Sequence, residues 1–184
     1  MTKTELRPAT ILMPVPTVLV TTCNTEQDNI ITLAWVGTVC SEPPMVGISI
    51  RPSRYSHDLL EDCKEFVVNI PSEEILVKTD RAGVLSGRDV NKFTQIGLSP
   101  LKATKVKPPL IDECPINLEC KVVQKLELGS HDLYLGEIVA MHASENVVVE
   151  GKIDVSRVRP IAFCGHEYWN LKEKIGTYGF SAKK

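Results

Sequence analysis

Two nearby stretches alternate between apolar and polar residues: Leu118-Glu119-Cys120-Lys121-Val122-Val123-Gln124 and His131-Asp132-Leu133-Tyr134-Leu135-Gly136-Glu137-Ile138. A period of two is typical of a strand with one face in a core and the other in solvent. Gly129 lies between the stretches, where a glycine favours a turn. The pattern therefore predicts two half-buried strands that pair as a long hairpin.

Outward from this hairpin, short runs rich in β-branched residues recur along the chain, and few helical patterns interrupt them. Such runs favour an antiparallel barrel or sandwich over a parallel sheet. Helices capped by Ser56 and Ser72 and a short helix near 89–96 are also expected, and the Pro-containing stretch 105–115 predicts a long surface connection. The predicted strands are 17–22, 30–36, 45–50, 66–70, 118–126, 133–143, 147–153 and 161–164, and the two capped helices are 56–64 and 72–81.

Composition sets limits on the kind of protein this is. The chain has 184 residues, 43% hydrophobic and 24% charged, which fits one domain over 1–184. A net charge of −2 gives no bulk attraction to nucleic acid or anionic lipid. The N-terminus is polar, and no apolar run approaches the roughly 18 residues that span a bilayer. A cytoplasmic location, with neither nucleic acid nor membrane as a partner, is therefore expected.

The six cysteines are expected to be reduced thiols, because the sequence shows no export signal. No CxxC motif occurs, so neither a zinc knuckle nor a thioredoxin-type redox pair is supported, and no metal site is expected. Residues 165–184 form an aromatic C-terminal extension. It holds Tyr168, Trp169, Tyr178 and Phe180, so we expect it to pack on the body or on a partner subunit.

The clearest chemical signal lies where a buried strand is followed by a helix, in the run Gly47-Ile48-Ser49-Ile50-Arg51-Pro52-Ser53-Arg54-Tyr55-Ser56-His57-Asp58. A helix N-terminus offers unpaired N–H groups and a positive dipole end to an anion. Arg51 and Arg54 can add charge-assisted hydrogen bonds, and Ser53 or Ser56 a hydroxyl. The cluster therefore favours a phosphate ligand, although each arginine alone is better explained by a solvated surface position.

A second basic turn follows at Ser86, Gly87 and Lys92, and the lysine could complete the anion pocket as a point charge. No GxGxxG or GxxxxGK[ST] motif accompanies either turn. The dinucleotide-fold and P-loop modes of phosphate binding are thus excluded, and the phosphate must belong to another kind of ligand.

Taken in order, several segments resemble the flavin reductase-like family of FMN-binding split barrels. Each segment is short and permissive by itself, but together they span most of the chain. The Gly165–Trp169 and Tyr178–Ser181 segments resemble the flavoredoxin branch of that family. The matching segments are Met13-Pro14-Val15-Pro16-Thr17-Val18-Leu19-Val20-Thr21-Thr22, Asn29-Ile30-Ile31-Thr32-Leu33-Ala34-Trp35, Pro43-Pro44-Met45-Val46-Gly47-Ile48-Ser49-Ile50-Arg51, Glu65-Phe66-Val67-Val68-Asn69-Ile70-Pro71, Asn91-Lys92-Phe93 and Gly129-Ser130-His131-Asp132-Leu133-Tyr134-Leu135-Gly136-Glu137.

The resemblance implies a mainly β fold with flanking helices: a six-stranded antiparallel Greek-key split barrel that forms a homodimer with FMN at the subunit interface. It also implies roles for individual residues. The segment Thr32, Leu33, Ala34 and Trp35 would lie along the flavin ring, and Asn69 would approach the ring with its amide. The ribityl phosphate would be held by Arg51, Arg54, Tyr55 and Ser56. Without the resemblance, Trp35 is better explained as a core residue and Asn69 as a residue that satisfies nearby backbone groups.

His131 is the candidate catalytic residue, since the resemblance places a histidine of this strand start near the flavin. There it could contact a reductant or supply a proton, and an exposed turn residue is the alternative. The expected reaction is hydride transfer from NADH or NADPH to FMN, followed by electron release to free flavin, a ferric complex or a redox protein. A non-enzymatic FMN electron carrier and a barrel that binds pyridoxal phosphate or haem are the competing readings.

Overall fold

The computed structural model describes residues 1–182, which form fourteen strands and four α-helices. The helices are α1 (Tyr55–Cys63), α2 (Leu76–Val84), α3 (Lys92–Ile96) and α4 (Val155–Val158), with 3₁₀ turns at Glu73–Ile75, Glu145–Val147 and Phe180–Ala182. The strands are β1 (Val15–Pro16), β2 (Val18–Cys23), β3 (Asp28–Leu33), β4 (Val36–Ser41), β5 (Pro44–Ile50), β6 (Glu65–Ile70), β7 (Pro100–Leu101), β8 (Leu110–Ile111), β9 (Ile116–Glu127), β10 (Asp132–Ala143), β11 (Val148–Val149), β12 (Lys152–Ile153), β13 (Ile161–Cys164) and β14 (Glu167–Asn170).

The main sheet is antiparallel and has the strand order β3-β2-β6-β9-β10-β5-β4. Its two edges are β3 and β4, yet only Ala34 and Trp35 separate these strands along the chain. Because two residues span only about 10 Å between their neighbours, the edges must meet, and the sheet curls into a barrel with one unpaired seam. Three of its pairings join strands that are distant in the chain, as Greek-key connections require.

The predicted hairpin is confirmed as β9 and β10, which pair over their full lengths with bulges at Leu135/Gly136 and Ile138/Ala140. Gly136 has no side chain at the first bulge because Phe66 lies against it. A Cβ there would come within 2.6 Å of the Phe66 ring and 3.2 Å of Cys120 Cβ. The close approach lets the barrel interior close around Phe66, which is fully buried.

Two apolar layers hold the barrel. The interior is filled by side chains such as Ile48, Phe66 and Tyr134, and Leu60 of α1 joins them. A second layer, which includes Leu19 and Phe93, lies between the sheet and helices α2 and α3. Strand β2 contributes to both layers, which explains why its sequence is a continuous buried run rather than an alternating one.

Three predictions about the elements need correction. The main sheet has seven strands rather than six, because 36–41 forms an additional edge strand with an exposed polar face that carries no strong apolar pattern. The predicted strand over 147–153 is a 3₁₀ turn followed by a small hairpin, since Glu150 and Gly151 both have positive φ and reverse the chain. The stretch 105–115 is not a surface connection throughout, because Leu110, Ile111 and Cys114 are buried.

Helix α1 begins one residue earlier than predicted, with Arg54 rather than Ser56 at the N-cap position. The Ser56 side chain points into the protein and is 1% exposed, so it cannot cap the helix end. Ser72 precedes a 3₁₀ turn without making a side-chain capping bond, and α2 follows from Leu76. The short third helix is confirmed as α3, capped by Asn91, whose Oδ1 accepts from Thr94 N at 3.1 Å.

The two ends of the chain lie outside the barrel. Strands β1, β13 and β14 form a small separate sheet, in which Tyr168 packs on Phe163 and donates to Asp80 Oδ1 at 2.9 Å. Beyond this sheet, residues 171–174 line a cleft together with Val149 and residues 152–156 of the body, and Tyr178 and Phe180 are exposed. Residues 183–184 of the extension lie outside the described residues. No helix within 1–182 is both long and apolar enough to cross a membrane.

Candidate functional site: an anion cavity and two adjoining clefts

The start of α1 and the loop after α2 enclose a small polar cavity of about 70 Å³, here called the anion cavity. The two elements meet because Arg88 of the loop donates to Ser53 O at 3.1 Å and to Asp58 Oδ2 at 2.6 Å. The structure thus brings together most of the predicted phosphate residues. The lining consists of Asn29, Ile31, Ser53, Arg54, Tyr55, Ser56, Gly83, Val84, Leu85, Ser86, Gly87, Arg88 and Lys92.

Lys92 supplies a buried positive charge to the anion cavity. Its side chain runs inward from α3, and Nζ donates to Ile30 O at 2.8 Å and to Ala82 O at 2.7 Å. Burial, together with the nearby charge of Arg54, lowers the pKa of Lys92 from 10.5 to about 8. Two neutral carbonyls leave the ammonium without a counter-charge, and a bound anion would supply one.

The helix end itself faces the anion cavity. Arg54 precedes the first turn of α1, whose leading N–H groups have no intrahelical acceptor and carry the positive end of the helix dipole. Ser56 Oγ accepts a hydrogen bond from Asn29 Nδ2 at 2.8 Å, which links the helix to strand β3. Its hydroxyl hydrogen remains available to a second acceptor.

Gly87 is required by the close approach of the loop to α1. A Cβ at this position would overlap Asn29 Oδ1 and lie 2.9 Å from Tyr55 Cδ1. Arg88 then lies over the Tyr55 ring at 5.3 Å from its centroid. Arg88 was not among the residues predicted from sequence, although it belongs to the same Ser-Gly-Arg turn. Only the folded loop shows that its guanidinium borders the cavity.

Arg51 does not line the anion cavity, and its predicted contact with a phosphate stays a prediction. It is exposed and lies near His131, whose pKa is lowered below its ordinary value by burial and by the charge of Arg51. The reason is the turn after β5, in which Arg54 N donates to Arg51 O at 3.0 Å. Arg54 therefore lines the anion cavity, whereas Arg51, three residues earlier, does not.

A second cleft of about 260 Å³, here called the Thr32 cleft, adjoins the anion cavity through the shared residues Gly83 and Val84. The predicted ring-contact residues Thr32, Leu33 and Ala34 lie on its wall, and Tyr168 of the C-terminal sheet closes one side. Thr32 is held by α2, because its Oγ1 donates to Thr79 O at 2.6 Å. The cleft is thus formed by backbone at the end of β3 and by helix α2.

Thr17 also lines the Thr32 cleft, and sequence reasoning missed it. The residue is 2% exposed, and its hydroxyl finds no hydrogen-bond partner among residues 1–182. A buried hydroxyl without a partner costs free energy, about 1–3 kcal/mol. A ligand with an acceptor or donor in this cleft would remove that cost. Its position just before β2 is the sole sequence signal that could have indicated it.

Trp35 lies on the far side of Ala34, in an apolar cleft of about 460 Å³ formed with β4, β5 and residues 9–12. Its ring centroid is 4.4 Å from that of His131, with the planes tilted by 39°. Ser130 Oγ lies 2.9 Å from His131 Nδ1 and fixes the ring. With its pKa lowered, His131 is a neutral imidazole at neutral pH and can accept a hydrogen bond from a ligand.

Asn69 lies in the interior of the sheet rather than on the wall of the clefts described above, and its predicted contact with a flavin ring stays a prediction. Its side chain is fully buried between strands, where Nδ2 donates to Leu19 O at 3.1 Å. Its Oδ1 accepts from Ile111 N at 2.9 Å and Asn117 Nδ2 at 2.8 Å. Both ends of the Asn69 amide therefore form hydrogen bonds that join β2, β8 and β9.

The curled antiparallel sheet, with its helices and clefts grouped beside one seam, is a split β-barrel. The flavin reductase like domain family matches residues 10–171 of the chain, and the chain belongs to this family. An uncharacterized protein of Archaeoglobus fulgidus is 39% identical over 146 residues, covering 79% of this chain and 81% of the relative.

Two solved structures extend the likeness over nearly the whole chain. The flavoredoxin of Desulfovibrio vulgaris (Miyazaki F) is 30% identical and superposes with a TM-score of 0.93. The superposition covers 99% of this chain and 100% of the flavoredoxin chain. The flavoredoxin of Methanosarcina acetivorans is 28% identical, with a TM-score of 0.91 and the same coverage. These likenesses confirm the predicted family and the split-barrel architecture.

Proposed function

We propose that this protein binds FMN and passes electrons from NADH or NADPH through it to an acceptor, such as free flavin, a ferric complex or a redox protein. The observation that carries the proposal is the anion cavity, where a helix N-terminus, Arg54 and buried Lys92 converge. The cavity shares its lining residues Gly83 and Val84 with the Thr32 cleft. Membership of the flavin reductase like family and the likeness to two flavoredoxins support the same ligand.

The residues present fit FMN at both ends. A phosphate is the kind of anion that Lys92, Arg54 and the start of α1 would stabilise, because it neutralises a buried charge that has only neutral partners. The unpaired hydroxyl of Thr17 would find an acceptor among the polar atoms of a flavin in the Thr32 cleft. Bound there, FMN would supply hydride acceptance and electron release to an acceptor.

The protein's own residues would bind the FMN, orient its ring and shield it from solvent. The anion cavity fixes one end of the ligand, and the chain from Thr32 to Ala34 would position the other. We propose that His131, held by Ser130 and Trp35, contacts the nicotinamide or the incoming acceptor. Its lowered pKa keeps it neutral, which favours an acceptor hydrogen bond over proton donation.

We also propose that the active form is a homodimer. The single chain leaves apolar side chains exposed on both terminal segments, among them Leu12, Leu171 and Ile175. The apolar cleft beside Trp35 is lined in part by residues 9–12 of the N-terminal segment. Exposed apolar surface that borders a cleft is typical of a subunit interface, so a second copy would complete the walls around the flavin.

Anaerobic mixing of the FMN-loaded protein with NADH or NADPH tests the proposed reaction. We expect the visible flavin absorption band to bleach with at least one nucleotide and to return when an acceptor is added. A flavin that stays oxidised with both nucleotides, yet is reduced by a protein donor, would instead identify a non-enzymatic electron carrier. An absorption spectrum typical of haem or pyridoxal phosphate in the purified protein would refute flavin binding altogether.

A further inference from the structure

Cys23 and Cys63 place their sulfur atoms 3.5 Å apart, although they are 40 positions apart in the chain. Cys23 is the last residue of β2 and Cys63 is the last residue of α1. The thiols of Cys40 and Cys120 contact backbone carbonyl oxygens instead, those of Glu42 and Leu118. The contact between Cys23 and Cys63 is therefore a feature of how α1 docks on the sheet.

Backbone hydrogen bonds fix both positions. Cys23 is paired with Asp28 in the β2–β3 ladder. Cys63 is followed by Lys64 in the left-handed conformation at φ 57°, whose N–H donates to Leu60 O and ends the helix. A disulfide requires sulfur atoms about 2.05 Å apart, so the two sulfur atoms have about 1.5 Å to close.

We propose that Cys23 and Cys63 form a modification site, at which exchange with a low-molecular-weight disulfide creates a reversible intramolecular disulfide. Cys63 is partly exposed and reacts first: its thiolate attacks the reagent disulfide, forms a mixed disulfide and releases one reagent thiolate. Cys23, which is 3% exposed, then attacks the Cys63 sulfur and expels the second reagent thiolate. The protein loses two protons and two electrons, and the reagent disulfide is reduced to two thiols.

The surroundings of Cys23 set the rate of the second step. Burial, the contact with Cys63, and the carboxylates of Asp28 and Glu65 raise the pKa of the Cys23 thiol to about 12. The thiolate is the attacking species, so closure is slow near neutrality and accelerates as the pH rises. An external thiol would reduce the bond by attack at the Cys63 sulfur, which is partly exposed.

The bridge would tie the end of α1 to the end of β2, at the opposite end of the helix from the anion cavity. Closing a loop of this length removes entropy from the unfolded chain. For a protein of this size we expect the Tm to rise by roughly 10 °C on oxidation.

The test treats reduced full-length protein with oxidised glutathione at mildly alkaline pH and analyses it by intact mass, peptide mapping and thermal unfolding. We expect a loss of two hydrogens, a peptide that links Cys23 to Cys63, and the rise in Tm. Cys63→Ser should abolish all three, whereas Cys164→Ser, which removes another half-buried thiol, should leave them unchanged. Protein whose Cys23 stays free, a persistent glutathione adduct on Cys63, or a bridge to another cysteine would overturn the proposal.

Discussion

Lys92 shows at the scale of one residue what the sequence could and could not indicate. Its neighbourhood in the chain, Asn91-Lys92-Phe93, suggested a point charge near the phosphate residues. Nothing in that run predicts that the side chain is 4% exposed and donates to carbonyls of β3 and α2. Burial arises only because α3 docks on the sheet through Phe93 and Ile96. The positive charge of Lys92 was predictable from the sequence, and its burial away from solvent was not.

Lys92 predicts how flavin affinity depends on pH. Its pKa of about 8 lies below the ordinary 10.5, so the free protein loses this charge as the pH passes 8. A phosphate beside Lys92 favours the charged form, so FMN binding takes up a proton above that pH. We expect FMN affinity to fall by up to about tenfold per pH unit above 8, measured relative to riboflavin, which lacks the phosphate. A ratio of the two affinities that is flat with pH would contradict the placement.

The lowered pKa of Lys92 also makes the free energy of unfolding depend on pH. Between pH 8 and 10.5 the unfolded chain binds a proton that folded, ligand-free protein has released at Lys92. The contribution of Lys92 to the free energy of unfolding therefore rises with pH over this window. Bound phosphate should reduce this pH dependence, which unfolding by denaturant with and without FMN would measure.

Arg54 is the exposed counterpart of Lys92 in the anion cavity. Arg54→Ala should weaken FMN binding by about 10- to 100-fold, because a charge-assisted hydrogen bond contributes roughly 1.5–3 kcal/mol. The matched control is Arg157→Ala, since Arg157 contacts Asp154 and Asn146 away from the cavity. Titration of both variants with FMN gives the comparison. Equal affinities would remove Arg54 from the phosphate site.

At the scale of elements, the sequence predicted those helices and strands that are determined by their local sequence pattern. The β9–β10 hairpin and α3 with its Asn91 cap follow from alternation and capping residues. The start of α1 did not, because Ser56 is both a good capping residue and a buried hydrogen-bond acceptor for Asn29. Strand β4 escaped notice because Gly37, Thr38 and Ser41 are exposed on an edge. Tertiary partners, rather than local preference, decided these cases.

The buried carboxylate of Glu119 on β9 holds the preceding connection, between β7 and β8, in place. It accepts hydrogen bonds from Thr104 N at 2.8 Å, Lys105 N at 2.6 Å and Val106 N at 3.0 Å, and from His142 Nε2 at 2.6 Å. Burial alone would raise the pKa of Glu119, but the Thr104, Lys105 and His142 donors hold it at about 2. This contact ties the start of 105–115 to the sheet, whereas the buried Ile111 farther along is held by Asn69 and Asn117.

We expect Glu119→Gln to lower the free energy of unfolding by about 3 kcal/mol at neutral pH, because an amide cannot accept all of these bonds. The stabilisation from the carboxylate is present above pH 4.5 and is lost as the pH falls toward 2. The variant should therefore lack this acid-dependent component in urea unfolding. Glu127→Gln, on an exposed carboxylate of the same strand, should change little. Equal stability of the two variants would refute the role of Glu119.

At the scale of the whole molecule, the barrel closes through Ala34 and Trp35, the same residues that separate the Thr32 cleft from the cleft beside Trp35. The fold class was predictable from strand frequency and the family resemblance. The number of strands and the course of the C-terminal extension were not, because exposed edges and terminal segments carry little pattern. The buried position of Asn69 was not predictable either, because no local sequence pattern marks an amide that joins strands.

Exposed side chains of the C-terminal extension indicate which contacts would hold the proposed dimer together. Ile175 is almost fully exposed in the single chain, as is Tyr178. If these side chains pack on a second copy, Ile175→Ser should shift the equilibrium toward monomer in analytical ultracentrifugation. Lys174→Ser, at the neighbouring exposed position, should leave it unchanged. A wild-type protein that is monomeric, or a dimer insensitive to Ile175, would refute this role of the extension.

The central claim is that helix α1, Arg54 and Lys92 hold the phosphate of a flavin nucleotide beside the barrel seam. Equilibrium titration of flavin-free protein with FMN and with riboflavin tests it most directly, because the two ligands differ only in that phosphate. We predict one FMN bound per chain, at least about 100-fold more tightly than riboflavin. Equal affinity for the two ligands, or no binding of FMN, would contradict it.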